Sequence, residues 1–537
     1  MKKIIAVFLL LISGLYAQDK NIDVLSYSLN LDFTNNFKQN ASYVFNGNEV
    51  IKIKAVNEIS SFTINANNVS LKIEGVSIAG KSFVHEKDEV KINLDRTYQT
   101  GEEFEIGISY SHKNFFDTAF YVGKGIIYTD CEPDGARCWF PCKDYPNDKA
   151  LFEIRGKVPA NVLLGSNGML IDSVSDGKFT TYTWREDYPM ATYLAVVAAS
   201  ENYILNVIEW KNPYNEKIIP IRFYYKKTDE KGKVYFMMER VPMMMNFFSE
   251  MFGSYPFDKL AFATVDNQFP WGGMENQTFI TLCVNCYNDD LLAHELAHHW
   301  FGDLISPTQW SDLWLNEGFA TYCETLWSEH TDGKARYRSL NKFTAEEYFL
   351  TSPKPPRAIY NKEWDSQLPD GKTLFDVAMT YNKSAAVLYM LRYVLGDSLF
   401  FSSIKKYATN PELMYGNIST DEFIKLMSEY SGKDLTWFFE QWLYRPNHPV
   451  YSNRYEIVKD GDNWKVNLKV SQTQREEFFK MPVEFKIYFQ KENKIVRLQN
   501  DYNNQTFELS YKEKPVMVEF DPNNEIILKR AKTVQGF

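Results

Sequence analysis

His294, Glu295 and His298 form the pattern H-E-x-x-H, and Glu317 follows the second histidine after eighteen intervening residues. On a helix, residues four apart stand one turn apart on the same face. The two imidazoles can therefore grip one metal ion, and Glu317 can bring a carboxylate to it from a second helix. Two histidines and one carboxylate make a catalytic zinc set, one ion per chain, tetrahedral with a position open to water. Glu295 lies about 100° further round the helix, beside the open position, where hydrolysis needs a general base. The alternative is a helix that carries these residues by chance. Context argues against it, because three of the chain's seven histidines fall within HELAHH.

The elements that must hold these residues can be read around them. Leu292, Leu296 and Trp300 repeat at i, i+4 and i+8, a stripe suited to burial. Asp289 or Asp290 is expected to cap the helix start, and Gly302 to end it. The second helix is expected near Ser311, carrying Leu313, Trp314, Glu317, Ala320, Tyr322 and Glu324. Zinc-ligating histidines usually donate their other ring nitrogen to a carboxylate or carbonyl, and Asp312 and Glu324 are candidates for that role. His299 points off the ligand face and is read as a packing histidine.

Four further segments accompany this pair of helices. WGGMEN spans Trp271 to Asn276, TYNKSAAVLYML contains Tyr381, CEPDGARCWFPCKDYPNDKALF begins at Cys131, and EQWLYRPNHPVY begins at Glu440. In order and spacing the ensemble resembles the M1 family of zinc aminopeptidases, within the gluzincin group. The resemblance implies removal of N-terminal residues from peptides. It implies that Tyr381 donates a hydrogen bond to the oxyanion; composition alone would leave it one of 34 tyrosines. An aminopeptidase must hold a free ammonium at a fixed distance from the scissile bond, and carboxylates suit that cation. The resemblance gives this task to Glu275 first and Glu132 second, with Asp130 assisting. Gly272 and Gly273, followed by Met274, let a peptide backbone approach closely, so an extended substrate could add to that strand edge. Loops near Met274 and Phe269 are expected to shape the pocket for the first side chain. Two positions depart from the family pattern: Gly273 stands for an alanine and Ser384 for a glycine. Both are small-for-small exchanges, expected to leave the chemistry alone.

The expected fold is multidomain α+β. From about Ile22 the pattern has period two: Tyr27, Leu29, Leu31 and Phe33 alternate with polar residues, and Asn46-Gly47 reads as a turn before Ile51, Ile53 and Ala55. This gives an all-β domain over 18–205. A thermolysin-like, mainly helical catalytic domain is expected over 206–446, with a β portion around Leu260 to Leu282. Alternation returns after Val450, with Asp460-Gly461 as a hairpin turn. It predicts a small C-terminal β-sandwich over 447–537. Many M1 enzymes continue into a large helical domain; this sequence is expected to lack one.

Residues 1–17 read as a signal peptide: Lys2 and Lys3, an apolar run from Ile4 to Ile12, and Ala17 before the cut. The run is too short for a membrane anchor. An exported protein, periplasmic or secreted, without stable membrane insertion is expected. The net charge of −10 argues against nucleic-acid binding and mildly favours cationic peptides. Of the six cysteines, Cys131, Cys138 and Cys142 cluster and Cys283 and Cys286 form C-x-x-C. Buried thiols or one local disulfide are expected, since a redox role would need a strand–turn–helix context. Two competing readings remain, a zinc endopeptidase of the same type and a catalytically silent zinc-containing binding protein. Glu275 and Glu132 speak against the first, because anionic anchors block a chain that continues past its N-terminus. Glu295 speaks against the second.

Overall fold

The computed structural model describes residues 18–38, 42–475 and 477–536. The expected signal peptide lies outside them. The N-terminal region is built of strands. A seven-stranded sheet runs in the order Met169–Ser175, Phe179–Met190, Ala150–Pro159, Ile22–Asp32, Asn46–Ala55, Glu103–His112, Leu71–Ile78. All its neighbours are antiparallel except Ile22–Asp32 beside Ala150–Pro159. Tyr27, Leu29, Leu31 and Phe33 are all buried, as period-two alternation on a covered face requires.

Asn46-Gly47 is not a turn. It opens the strand Asn46–Ala55, where Gly47 pairs with Leu31 and with Tyr110. A Cβ on Gly47 would lie 2.3 Å from the Tyr110 ring. The glycine is there for close approach of a ring, a demand that only the folded sheet reveals. Asp460-Gly461 behaves as expected: Asp460 pairs with Asn463 across a tight turn, and Gly461 has φ +59°.

A five-stranded sheet follows, in the order Tyr203–Lys211, Ile218–Lys226, Leu260–Thr264, Ile280–Leu282, Gly273–Met274. The first of these strands runs across the expected 205/206 boundary. The last is an edge, paired on one side only, with Gly273 opposite Leu282 and Met274 opposite Thr281. Helices α1 (Lys231–Phe252), α2 (Asp289–His298), α3 (Trp314–Asp332) and α4 (Lys334–Thr351) carry most of the site. Trp300, Trp314 and Trp327 are fully buried among them. Towards the C-terminus, a four-stranded and a three-stranded sheet hold Val466, Leu468, Val483 and Phe485 in a core continuous with that of the helices. No helix among the described residues is long and apolar enough to cross a membrane.

Candidate active site

Helix α2 begins with Asn288 as its cap, and the Asn288 side chain accepts from Leu291 N at 3.1 Å. Asp289 and Asp290 are not the cap. They sit in the first turn, where negative charge complements the helix dipole. The helix ends at His298, and Gly302 lies beyond it with φ +142°. Leu292, Leu296 and Trp300 are buried as expected.

His294, His298 and Glu317 offer ligand atoms that all lie within 4.8 Å of one another. His294 Nε2 is 3.2 Å and His298 Nε2 3.6 Å from the same oxygen, Glu317 Oε2. Each ring's other nitrogen is engaged. Nδ1 of His294 donates to Glu324 Oε1 at 2.8 Å, and Nδ1 of His298 donates to the Phe301 carbonyl at 3.1 Å. With Nδ1 of each ring engaged as a donor, the neutral imidazoles would turn their Nε2 lone pairs towards Glu317, the arrangement that a zinc site requires. The donor set therefore fits the metal. Of the two candidates for the supporting carboxylate, Glu324 takes the role. Asp312 accepts from Thr420 N and Oγ1 at 2.8 and 2.7 Å instead. His299 is buried against Tyr255, with Nδ1 2.8 Å from its hydroxyl.

Charge around the donor set is unevenly spread. Burial would raise Glu317, but the two imidazoles beside it outweigh that and hold it at about 2. Burial opposes charge on His294, yet Glu317 and Glu324 lift its pKa well above the ordinary histidine value. Glu295 is pushed up to about 8, chiefly by burial, with the nearby histidines pulling the other way.

Glu275 and Glu132 stand beside this triad. Ligand atoms of Glu132, Glu275 and Glu317 also lie within 4.8 Å of one another. Oε1 of Glu275 and Oε1 of Glu132 are buried without a hydrogen-bond partner. Burial raises both carboxylates; the charge of Glu275 adds to the rise at Glu132, whereas at Glu275 the nearby His298 pulls down and Glu317 pushes up. Asp130 lines the same cavity and is raised to about 7, first by burial, while a hydrogen bond from the Trp271 indole works against the shift.

The cavity measures about 500 Å³. The edge strand Gly273–Met274 and Tyr381 both line it, together with the metal ligands. The Tyr381 ring stacks on that of His294 at 6.0 Å. Tyr381 lies in a π-helical turn, Val377–Lys383, a distortion frequent at functional sites that nothing in the sequence signals. A Cβ on Gly273 would lie 2.3 Å from Glu295 Oε1, so an alanine here would require that side chain to shift. Ser384 fits where expected: its Oγ donates to the Met379 carbonyl at 3.0 Å, and Gly318 makes room for its Cβ. Phe269 does not line the cavity. It is buried edge-on against Tyr128, but Pro270, Trp271 and Met274 of the expected loops line the wall, together with Leu291, Phe375 and Val377. The last three carried no sequence signal, because only the fold brings them together.

The peptidase family M1 domain matches residues 236–442, and the peptidase M1 N-terminal domain matches residues 24–194. The chain belongs to the M1 peptidase family. Zinc is the cofactor that follows, and His294, His298 and Glu317 are the residues that can hold it. The chain is 26% identical over 465 residues to "Probable aminopeptidase 1" of Sulfurisphaera tokodaii, covering 81% of this chain and 54% of that protein. It is 26% identical over 469 residues to "Aminopeptidase M1" of Arabidopsis thaliana, covering 78% and 50%. It thus spans about half the length of the curated relatives it matches. The M1 zinc metallopeptidase of Deinococcus radiodurans has the same fold, with a TM-score of 0.70 at 21% identity, over 80% of this chain and 95% of that one. A structure from that organism with a bound Tyr-Ser-Ala substrate aligns at a TM-score of 0.69 and 22% identity, over 80% and 96%.

The C-x-x-C joins Cys283 to Cys286 in a disulfide. It sits between the strand Ile280–Leu282 and α2, a strand–turn–helix setting that the sequence had not suggested. Cys131, Cys138, Cys142 and Cys323 are free.

Proposed function

We propose that this M1 chain is an aminopeptidase that removes single residues from the free N-terminus of peptides. The observation that carries the reading is the pair of buried, unpartnered carboxylate oxygens on Glu275 and Glu132, held against the metal ligands. Buried anions without partners are costly. A substrate ammonium would complete them with charge-assisted hydrogen bonds. An internal peptide bond presents no such cation.

The edge strand Gly273–Met274 offers backbone groups on which an extended substrate can lie. With the amine held by Glu275 and Glu132, the first carbonyl falls between Glu295 and Tyr381. Zinc, when bound, supplies a Lewis acid that polarises that carbonyl and acidifies water. Glu295 takes a proton from the attacking water and passes it to the departing nitrogen. The Tyr381 hydroxyl, kept protonated by burial, donates to the oxyanion. Asp130 and Trp271 border the place of the first side chain.

Export through residues 1–17 belongs to the same proposal. A disulfide at Cys283–Cys286 suits an oxidising compartment. N-terminal sequencing of the mature protein would test it, with Gln18 as the expected first residue.

The activity is tested with two peptides that differ only in an N-terminal acetyl group. The free peptide should be trimmed residue by residue and the acetylated one should resist. Acetylation removes the cation and leaves the two glutamates buried without it, a penalty of several kcal/mol. Internal cleavage of the blocked peptide at a comparable rate would replace this reading with an endopeptidase.

A further inference from the structure

A second cavity, of about 450 Å³, adjoins the catalytic one. The two share Glu324, Val377 and Tyr381. The amine anchors Glu132 and Glu275 line the first and not the second, and neither does the edge strand. The second cavity therefore opens beyond the metal ligands, on the side away from the anchored N-terminus. Helix α4 forms its outer wall through Leu340, Phe343 and Glu347, and Asp290 on α2 closes one end.

We propose that this cavity seats the residues that follow the scissile bond, and that it selects a basic side chain there. The proposal rests on the aminopeptidase reading, which fixes the direction of the chain. Four observations carry it. Asp290 and Glu347 face the cavity and, among the described residues, neither has a cation within 4.0 Å. Arg336 is the charge that most offsets Asp290, while Glu324 is engaged by His294. Thr321 lines the wall at 7% exposure, and its Oγ1 is buried without a hydrogen-bond partner, so a polar atom aimed at the cavity awaits one. Phe343 is 60% exposed on the same wall. A lysine or arginine matches this set: its alkyl stem lies along Leu340 and Phe343, and its head reaches Asp290 and Glu347. An acidic side chain would meet two like charges.

The zinc-loaded enzyme is assayed on three substrates with the same first residue: a leucyl coumarin amide, Leu-Lys-Ala-Ala and Leu-Glu-Ala-Ala. kcat/KM for the lysine peptide should exceed that for the glutamate peptide by roughly tenfold, as two partly exposed charge contacts allow. Most of the difference should lie in KM. The double variant Asp290→Asn, Glu347→Gln should reduce the ratio to about twofold or less and leave the coumarin amide nearly unchanged, since the coumarin that takes the place after its scissile bond carries no charge for the two carboxylates to read. A wild-type ratio near one overturns the proposal, as does a ratio that survives the double variant or a parallel loss on the coumarin amide. Calorimetry with N-acetyl-Lys-Ala-Ala and N-acetyl-Glu-Ala-Ala reads the cavity without turnover. Preferential binding of the lysine form supports the proposal even if no free N-terminus is trimmed, in which case the aminopeptidase reading alone fails. Equal binding of the two overturns it.

Discussion

Replacing Gly273 with alanine should leave the fold and the zinc in place and lower kcat by about 10²-fold. The new Cβ would meet Glu295 Oε1 at 2.3 Å, Cδ at 2.4 Å and Cγ at 2.7 Å, where ordinary contact begins at 3.4 Å. The glutamate must therefore retreat by about 1 Å, a misplacement that in a positioned catalytic group costs on the order of 10²-fold in rate. Stability should change little. Gly273 has no positive φ, so alanine brings no backbone strain, and an off-rotamer glutamate costs only about 0.5–1.5 kcal/mol. The measurement is kcat and KM on an aminoacyl coumarin amide, with zinc content and Tm as controls. Because the disturbed group acts on the proton and not on the amine, the loss should appear in kcat with KM nearly constant. A rise confined to KM would mean that the strand moves instead and drags Glu275 with it. A variant within about threefold of wild type in kcat, far from the expected loss, would refute the reasoning.

Three further outcomes are expected. Tyr381→Phe should lower kcat and kcat/KM together by roughly 10²–10³-fold, the cost of one oxyanion donor, whereas a change in KM alone would give the hydroxyl a binding role. Glu324→Ala should weaken zinc by about 10–100-fold in a competition with chelator, because His294 Nδ1 loses its acceptor; unaltered affinity would leave Glu324 with the second cavity alone. His299 is held at about 3 by burial, against 6.5 when free. The unfolded chain therefore binds one more proton as pH falls from 6.5 towards 3, and stability drops by about 1.4 kcal/mol per pH unit over that window. His299→Gln should flatten this part of the acid limb of Tm against pH, and an identical slope in wild type and variant would mean that His299 does not contribute.

The zinc ligands were legible because a helix converts a spacing of four into one face, a rule that needs no tertiary information. Strand alternation was legible for the same reason. What escaped depended on contacts distant in sequence. Asn46-Gly47 has the composition of a turn, but Leu31 on one side and Tyr110 on the other draw it into a sheet. Asn288, Asp289 and Asp290 are all able to cap, and the backbone of the preceding loop decides among them. Asp312 and Glu324 were equivalent candidates until Thr420 claimed one and His294 the other. The close approach of Gly273 to Glu295 joins a sheet edge to a helix, so a comparison of residue sizes could not expose it.

The acidity of the site bears on why it is built this way. Glu132, Glu275 and Glu317 crowd within reach of one ion-sized space, the last two buried and Glu132 half-buried, with one oxygen each of Glu132 and Glu275 buried and without a hydrogen-bond partner. A protein selected for stability alone would replace such a group with apolar residues, since buried charges seldom repay their desolvation. Retaining it makes sense if relief comes from outside. Zinc relieves Glu317, and a substrate ammonium relieves Glu275 and Glu132. The same imbalance explains selectivity without a shaped pocket: a chain that continues past the scissile residue brings a neutral amide where a cation is wanted, and leaves the repulsion in place. On this argument the proposed exopeptidase character would come from crowded carboxylates whose repulsion a substrate ammonium cancels and a neutral amide does not.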